Sequence, residues 1–476
     1  MIFTSLNFFL FFPTVCLLYY LTPIKYRWIV LLVASYFFYI NMSPAYALIL
    51  AGITISTYIF GRLMDATDND RRKNQFKIIN IVLIILPLLF YKYFTAINLE
   101  VFRALEGMHI RYPLPDVAFL LPVGISFYTF MAIGYTVDVY NEEIPAEKNL
   151  GILALFISFF PLVLSGPIER AGNMLPQFNS EKKLDPNNVS KGLKMMLWGY
   201  FMKLVIADRL AIYIDAVYAD IPAQNGTTLT LAAILYPFQV YADLGGYSLI
   251  AIGASKIMGF DVMQNFRRPF FATSMSDFWR RWHISLISWI TDYIYTPLSF
   301  HFRKYGKWGI VISLYLAFLL SGIWHGAALT FIAWGLLQGT YLSVEALTVK
   351  QRADFRLKHN LSKNVVFITL SILLIFFLFA ASQIFGRATS FNNAIDVFGK
   401  IATNHGAPYI DMPTLAIGLP FLAILLLSDF RDEFHPQRFL LFNNRRFGIR
   451  FLSYLFIFIA TIFFGVVSDE FIYFKF

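Results

Sequence analysis

Residues Phe266–Thr340 read FRRPFFATSMSDFWRRWHISLISWITDYIYTPLSFHFRKYGKWGIVISLYLAFLLSGIWHGAALTFIAWGLLQGT, and they decide the class of fold. Charge, indole and histidine are gathered here inside an otherwise apolar chain. Two histidines each follow a tryptophan, His283 in WRRWHIS and His325 in SGIWHGAA. His325 falls between two hydrophobic segments long enough to span a bilayer. Polar and ionisable groups at that depth are costly and face a cavity or the bundle interior, so they are read first as functional.

Outward from this stretch the same apolar character continues. Of 476 residues, 58% are hydrophobic and only 14% charged, beyond the apolar share of a soluble domain. The chain is expected to be an all-α polytopic membrane protein, one integral domain over residues 1–476 with a signature core at about 117–345. Candidate spans recur from Asn7 to Val467, and their lengths predict about eleven crossings with re-entrant or interfacial helices around Ser248 and His283. Leu229–Tyr241 and Ser248–Met258 are two separate candidates among these segments. Pro122 and Gly124 interrupt one span and Pro161 another. Such breaks survive in a membrane only where protein or a cavity satisfies the freed backbone groups.

The net charge of +10 does not indicate nucleic acid, because the basic residues sit in short loops between apolar runs. They cluster around Lys25–Arg27, Arg62–Lys77, Arg280–Lys307, Lys350–Lys363 and Arg431–Arg450, with Arg438 in the last. Lys and Arg mark the cytoplasmic side. The charge-balanced linkers Lys92–Asp116 and Arg387–Asp411 then face outward, and both termini are expected to be external. Cys16 is the single cysteine, which leaves no intrachain disulfide and no cysteine metal cluster. The first apolar segment lacks a basic leader region and reads as a retained span.

No Walker loop, HExxH, GxSxG or dinucleotide fingerprint is present, and no bound metal is expected. Histidine remains. Of seven, His109, His359, His405 and His435 fall in polar loops and His301 lies beside Arg303. His283 taken by itself reads first as a structural or interfacial residue at a span end. His325 is flanked by Gly322 and Gly326, which let a ligand or backbone approach closely. Its unperturbed pKa of about 6.5 suits a general base toward a hydroxyl.

Several long motifs then carry a resemblance. WRRWHISLISWITDYIYTPL and SGIWHGAALTFIAWGLLQG resemble the signature of the membrane-bound O-acyltransferase family, in the bacterial branch that O-acetylates alginate. So do LPVGISFYTFMAIGYTVDVY, SFFPLVLSGPIERAGNMLPQF, YADLGGYSLIAIGASKIMGF and the terminal FIYFKF. The resemblance covers essentially the whole chain. It implies a helical bundle around a funnel, with His325 catalytic and His283 as the second motif histidine. It also implies an acyl thioester co-substrate from the cytoplasm, acetyl-CoA or an acyl carrier protein, and an acceptor glycan from the opposite side. An exported esterase-like partner protein and a bacterial cytoplasmic membrane location accompany it. Leu249 stands where this branch commonly has an acid, and Ile290, Thr291 and Asp292 stand where it has Phe-Arg-Asp.

Arg280, Arg281 and Trp282 are candidates for donor binding, although the arginines serve equally as topology anchors. The competing class is a proton-coupled transporter or flippase, since broken helices and intramembrane histidines suit that too. A scaffold for other acylation proteins is a third reading. Within acyl transfer, the alternative is D-alanylation of teichoic acid from a carrier protein.

Overall fold

The structure, a computed structural model, describes residues 1–42, 44–108, 110, 121–436, 442 and 444–467. His109, Arg438 and the FIYFKF ending lie outside the described residues. Those described form helices joined by loops, in two compact units.

The first unit comprises Met1–Met196 and Ile250–Met263. It opens with α1 (Leu6–Leu21), α2 (Arg27–Ile40), α3 (Pro44–Asp65) and α4 (Asp70–Gly107), followed by α5 (Ile125–Tyr140), α6 (Leu150–Ser158), α7 (Ala171–Phe178) and the larger part of α8 (Pro186–Tyr200). Asn69 caps α4 by accepting a hydrogen bond from the Arg72 N–H at 3.0 Å, a standard way to satisfy an orphan donor. About three turns beyond that cap, α4 buries Asn80. Its amide donates to Thr136 Oγ1 at 2.8 Å and its oxygen accepts from Ser56 Oγ at 2.7 Å. This polar knot fixes α3, α4 and α5 together inside an apolar surround, as interhelical side-chain hydrogen bonds do in membranes. The opposite face of α4 shows Ile79, Val82, Leu83 and Leu86 exposed.

The expected interruptions at Gly124 and Pro161 meet each other. Gly124 precedes α5 at φ +76°, and a Cβ there would lie 2.1 Å from the Val163 carbonyl oxygen. No L side chain fits that close approach. Helix α6 stops at Ser158, and the chain through Pro161 and Val163 runs buried without a helix. Its backbone is satisfied internally: the Phe160 N–H donates to Ser35 Oγ at 3.1 Å and Leu162 N–H to Phe159 O at 2.8 Å. That is the condition for irregular backbone at membrane depth.

The second unit comprises Leu197–Leu249 and Gln264–Phe476. A π-helical stretch, Phe201–Ala207, leads into α9 (Asp208–Ala219). Such widened turns are rare and concentrate at functional or strained sites. Here the turn carries Lys203, fully buried, whose Nζ lies 2.7 Å from both Asp208 Oδ1 and Asp243 Oδ1 and 5.4 Å from the centroid of Tyr247.

Helix α10 (Gly226–Ile257) is continuous over 32 residues, which corrects the reading of Leu229–Tyr241 and Ser248–Met258 as separate segments. A Cβ on Gly246 would lie 2.7 Å from the Gly199 carbonyl oxygen. These glycines allow close packing rather than ending the helix, a use common in membrane helices. The chain continues through α11 (Met275–Trp279), α12 (Ile284–Ile290), α13 (Thr296–His301), α14 (Lys307–His325), α15 (Leu329–Leu347), α16 (Val349–Lys358), α17 (Val365–Arg387), α18 (Phe391–Thr403), α19 (Met412–Phe434) and α20 (Phe447–Phe464). Helices α14 and α15 form a hairpin clamped by glycine. A Cβ on Gly322 would meet Phe331 O at 2.4 Å, and one on Gly335 would meet Phe318 O at 2.4 Å.

Among the described residues six helices are long and apolar enough to cross a membrane: α3, the Asp70–Thr95 part of α4, α14, α17, α19 and α20. Several other expected spans emerge as shorter helices. Helix α2 has 14 residues, α5 has 16 and α6 has 9. The chain is a multi-pass, all-helical membrane protein.

Candidate active site

His283 is set by a loop that doubles back on itself. The Arg267 N–H donates to Arg281 O at 2.9 Å and the Ile284 N–H to Asn265 O at 2.8 Å, pairing residues 265–267 with 281–284. Between them His283 turns the chain into α12 with φ 45° and ψ 52°. That left-handed conformation is uncommon for a side chain other than glycine, asparagine or aspartate, and it aims the imidazole inward, where it is 2% exposed.

Asn265 completes the arrangement and fixes the ring's chemistry. Its Oδ1 accepts from Ser285 Oγ at 2.8 Å and from the Ser285 backbone N–H at 3.3 Å, while its Nδ2 donates to Ser248 Oγ at 2.9 Å. A backbone N–H can only donate, so the oxygen of the Asn265 amide is the atom that faces Ser285. The same oxygen lies 3.1 Å from His283 Nδ1. Nδ1 is therefore assigned the proton, and Nε2 is the basic nitrogen of the neutral ring.

His325 ends α14 at the clamped hairpin. Its ring packs against Trp324 at 4.5 Å, Trp334 at 5.0 Å and Phe331 at 6.2 Å between centroids. The two histidines, far apart in sequence, line one cavity of about 60 Å³, with Trp279, Trp282, Phe331 and Trp334 among its walls. The volume is sufficient for a few waters or a small polar group. Trp279 and Trp334 are each 6% exposed, and among the described residues neither indole Nε1–H has a hydrogen-bond partner. Buried donors are nearly always satisfied; a carbonyl oxygen in the cavity would serve.

The three donor-binding candidates separate. Trp282 is buried, stacked on Phe278 at 5.4 Å and 4.9 Å from Phe379. Arg281 is held by Asp277 at 2.9 Å and Glu433 at 2.8 Å, and Glu433 also reaches Arg268 at 3.0 Å. Arg280 is exposed. Among the described residues no group of three His, Cys, Asp or Glu side chains is placed to hold a metal ion, and His283 and His325 are the only described histidines on the cavity wall.

The family model for membrane-bound O-acyltransferases matches residues 149–384, which contain both histidines. A probable alginate O-acetylase of Pseudomonas putida is 38% identical over 349 residues, covering 72% of this chain and 70% of the relative. The chain belongs to the membrane-bound O-acyltransferase family. A peptidoglycan O-acetyltransferase of Helicobacter pylori is 33% identical over 343 residues, 67% of this chain and 63% of its own. A teichoic acid D-alanyltransferase of Bacillus subtilis is more distant, 29% identical over 232 residues, 46% of this chain and 58% of its own. The aligned parts thus span between 58% and 70% of these relatives' lengths.

A membrane-bound O-acyltransferase transfers an acyl group from an activated donor to a hydroxyl, so the chain is an enzyme and the transporter reading falls away. Three members of this O-acyltransferase's cavity region were not singled out from sequence. They are Trp279, Trp334 and Asn265. The one available signal for Asn265 was its position just before FRRPFF, at the entrance to the motif that carries His283.

Proposed function

We propose that this enzyme moves a short acyl group, acetyl, from a cytoplasmic thioester to a hydroxyl of an exported polysaccharide or cell-envelope glycan. The observation that carries the reading is the convergence of His283 and His325 on one small, indole-walled cavity. A cavity of about 60 Å³ favours a two-carbon acyl group over a long chain.

In this reading a ring nitrogen of His325 takes the acceptor hydroxyl proton as that oxygen attacks the thioester carbonyl carbon. The carbonyl electron pair moves onto oxygen, and the indole N–H groups of Trp279 and Trp334 stand among the donors near that charge. The tetrahedral species then collapses, the C–S bond breaks, and the thiolate takes the proton from imidazolium. General-base catalysis supplies about 10²- to 10⁴-fold in rate, and the apolar walls exclude water that would compete as nucleophile. His283, held by Asn265, orients a substrate through Nε2.

Exposed Arg280 is the arginine we assign to the phosphates of acetyl-CoA or of a carrier protein; Arg281 instead braces the loop. The names of the more similar relatives favour a glycan O-acetyl acceptor over D-alanylation of teichoic acid. We place the enzyme in a bacterial cytoplasmic membrane with both termini external, handing its product to an exported esterase-like partner protein.

The test is purified full-length protein in liposomes, given labelled acetyl-CoA or acetylated carrier protein and oligosaccharide acceptors. Ester-linked acetate that forms without an ion gradient and disappears in His325→Gln is the expected result. Transfer of D-alanine in preference to acetate would overturn the acetyl assignment.

A further inference from the structure

The second unit contains a larger groove that shares no lining residue with the histidine cavity. It measures about 640 Å³ and is formed by Thr273, the C-terminal end of α15, α16 and the first half of α17. Its lining combines the basic Arg352 and Arg356 with the apolar Phe355, Phe367, Leu374 and Ile375.

Helix α16, VKQRADFRLK, carries Lys350, Arg352, Arg356 and Lys358 against the single acid Asp354. It also exposes Val349, Phe355 and Leu357, at 59%, 54% and 72%. A short helix with both a basic and an apolar exposed side suits the headgroup boundary of a bilayer.

The charges of the groove are not internally balanced. Glu345 is the only acid in its lining, and it is already engaged. It accepts from the Met275 N–H at 2.8 Å, the Ser276 N–H at 3.0 Å and Ser276 Oγ at 2.8 Å, and lies 3.4 Å from Arg352 Nη1. Among the described residues no carboxylate lies within ion-pair distance of Arg356, whose guanidinium sits 5.6 Å from the Phe367 centroid. Arg352 Nη2 donates to the Glu345 carbonyl at 2.9 Å, and its Nε has no hydrogen-bond partner among the described residues. Two guanidinium groups with unused donors on one wall match the oxygens of a phosphate.

The apolar lining decides which phosphate. Leu374, on the groove wall and 59% exposed, belongs to α17, a helix long and apolar enough to cross a membrane, which also exposes Leu370 and Phe377 at 60% and 51%. An occupant with its charge on the arginines therefore has its remainder against lipid-facing side chains. We propose that this groove binds an anionic phospholipid, with the phosphate on Arg352 and Arg356 and an acyl chain along Leu374. Water-soluble phosphates meet the same arginines but leave the apolar lining uncovered.

The full-length protein, in nanodiscs of phosphatidylcholine with a rising fraction of phosphatidylglycerol, tests the proposal by native mass spectrometry and thermal unfolding. The wild type is expected to retain phosphatidylglycerol selectively and to unfold at rising temperature as its fraction increases. Arg356→Gln should weaken that retention about fivefold, and Arg352→Gln with Arg356→Gln roughly thirtyfold. Arg356→Gln is decisive because it breaks no ion pair and so spares the fold, and its selectivity is read whether or not acyl transfer is detected. Equal retention of the two lipids by the wild type, or unchanged selectivity in Arg356→Gln, would overturn the proposal. So would coenzyme A displacing phosphatidylglycerol from the wild type but failing to bind Arg356→Gln, since the arginines would then belong to the acyl donor.

Discussion

At the scale of single residues, His325 and His283 share a cavity but are held differently, and that difference separates their expected phenotypes. His325→Gln preserves size and hydrogen bonding but cannot accept a proton at neutral pH. Acyl transfer should fall by about a hundredfold or more with insertion and yield unchanged. Near-normal transfer by His325→Gln would remove it from the chemical step. Asn265→Ala removes the acceptor that holds the His283 proton on Nδ1 and also strips Ser248 and Ser285 of a partner. His283 should then lose its orientation, so that donor KM rises more than kcat falls, as in His283→Ala; an equal loss of kcat in both variants and in His325→Gln would place His283 in proton transfer. Both histidines were legible in the sequence, because each follows an indole inside an apolar run and sits in a family motif. Asn265 was not, since nothing local marks a loop asparagine as the partner of a ring 18 positions later.

At the scale of elements, the hairpin of α14 and α15 is what presents His325, and its closeness depends on two glycines. Gly335→Leu places a side chain where even a Cβ would lie 2.4 Å from a carbonyl oxygen. The helices must part or shift, at a cost of about 1–3 kcal/mol by the usual penalty of overpacking. Activity should fall further than that of Gly399→Leu, where nothing lies within 4 Å of an added Cβ; equal activity and melting temperature for the two would show the clamp to be dispensable. The hairpin was readable from SGIWHGAAL because a polar break separated two apolar runs. Helix α10 was misread for the converse reason. Two adjacent glycines lower local helix propensity, whereas the approach of the Gly199 carbonyl makes Gly246 necessary to the packing of α10, and a contact with a distant backbone leaves no trace in local sequence.

For the molecule as a whole, the all-helical membrane class followed from composition, but helix length did not translate evenly into crossings. Helices such as α5, with 16 residues nearly all buried, owe their apolarity to protein neighbours rather than to lipid, and hydropathy does not distinguish the two. Orientation is tested independently of span number. Cysteine labels placed near Arg71, Lys304, Arg356 and Arg445 should resist an impermeant reagent added outside, and labels near Met108 and His405 should react. Labelling at both Arg71 and Arg356 would reverse the assignment. The buried cation of the π-helical turn bears on how such a chain is made. Lys203 shares its charge with Asp208, close by, and with Asp243, which the ribosome adds some forty residues later. Until Asp243 emerges, the stretch around Phe201–Ala207 carries a lysine with one of its two carboxylates still missing, and an incompletely paired charge is expensive to bury. Release of this stretch into lipid should therefore wait for α10, making the insertion machinery hold several segments at once. Lys203→Met, which leaves two carboxylates without their shared cation, should be degraded during synthesis more than the triple variant Lys203→Met, Asp208→Asn, Asp243→Asn, because a stranded buried charge costs more than a neutral replacement. Pulse-chase turnover of the two reads the difference, and equal lifetimes would mean that the nascent chain leaves the translocon one helix at a time.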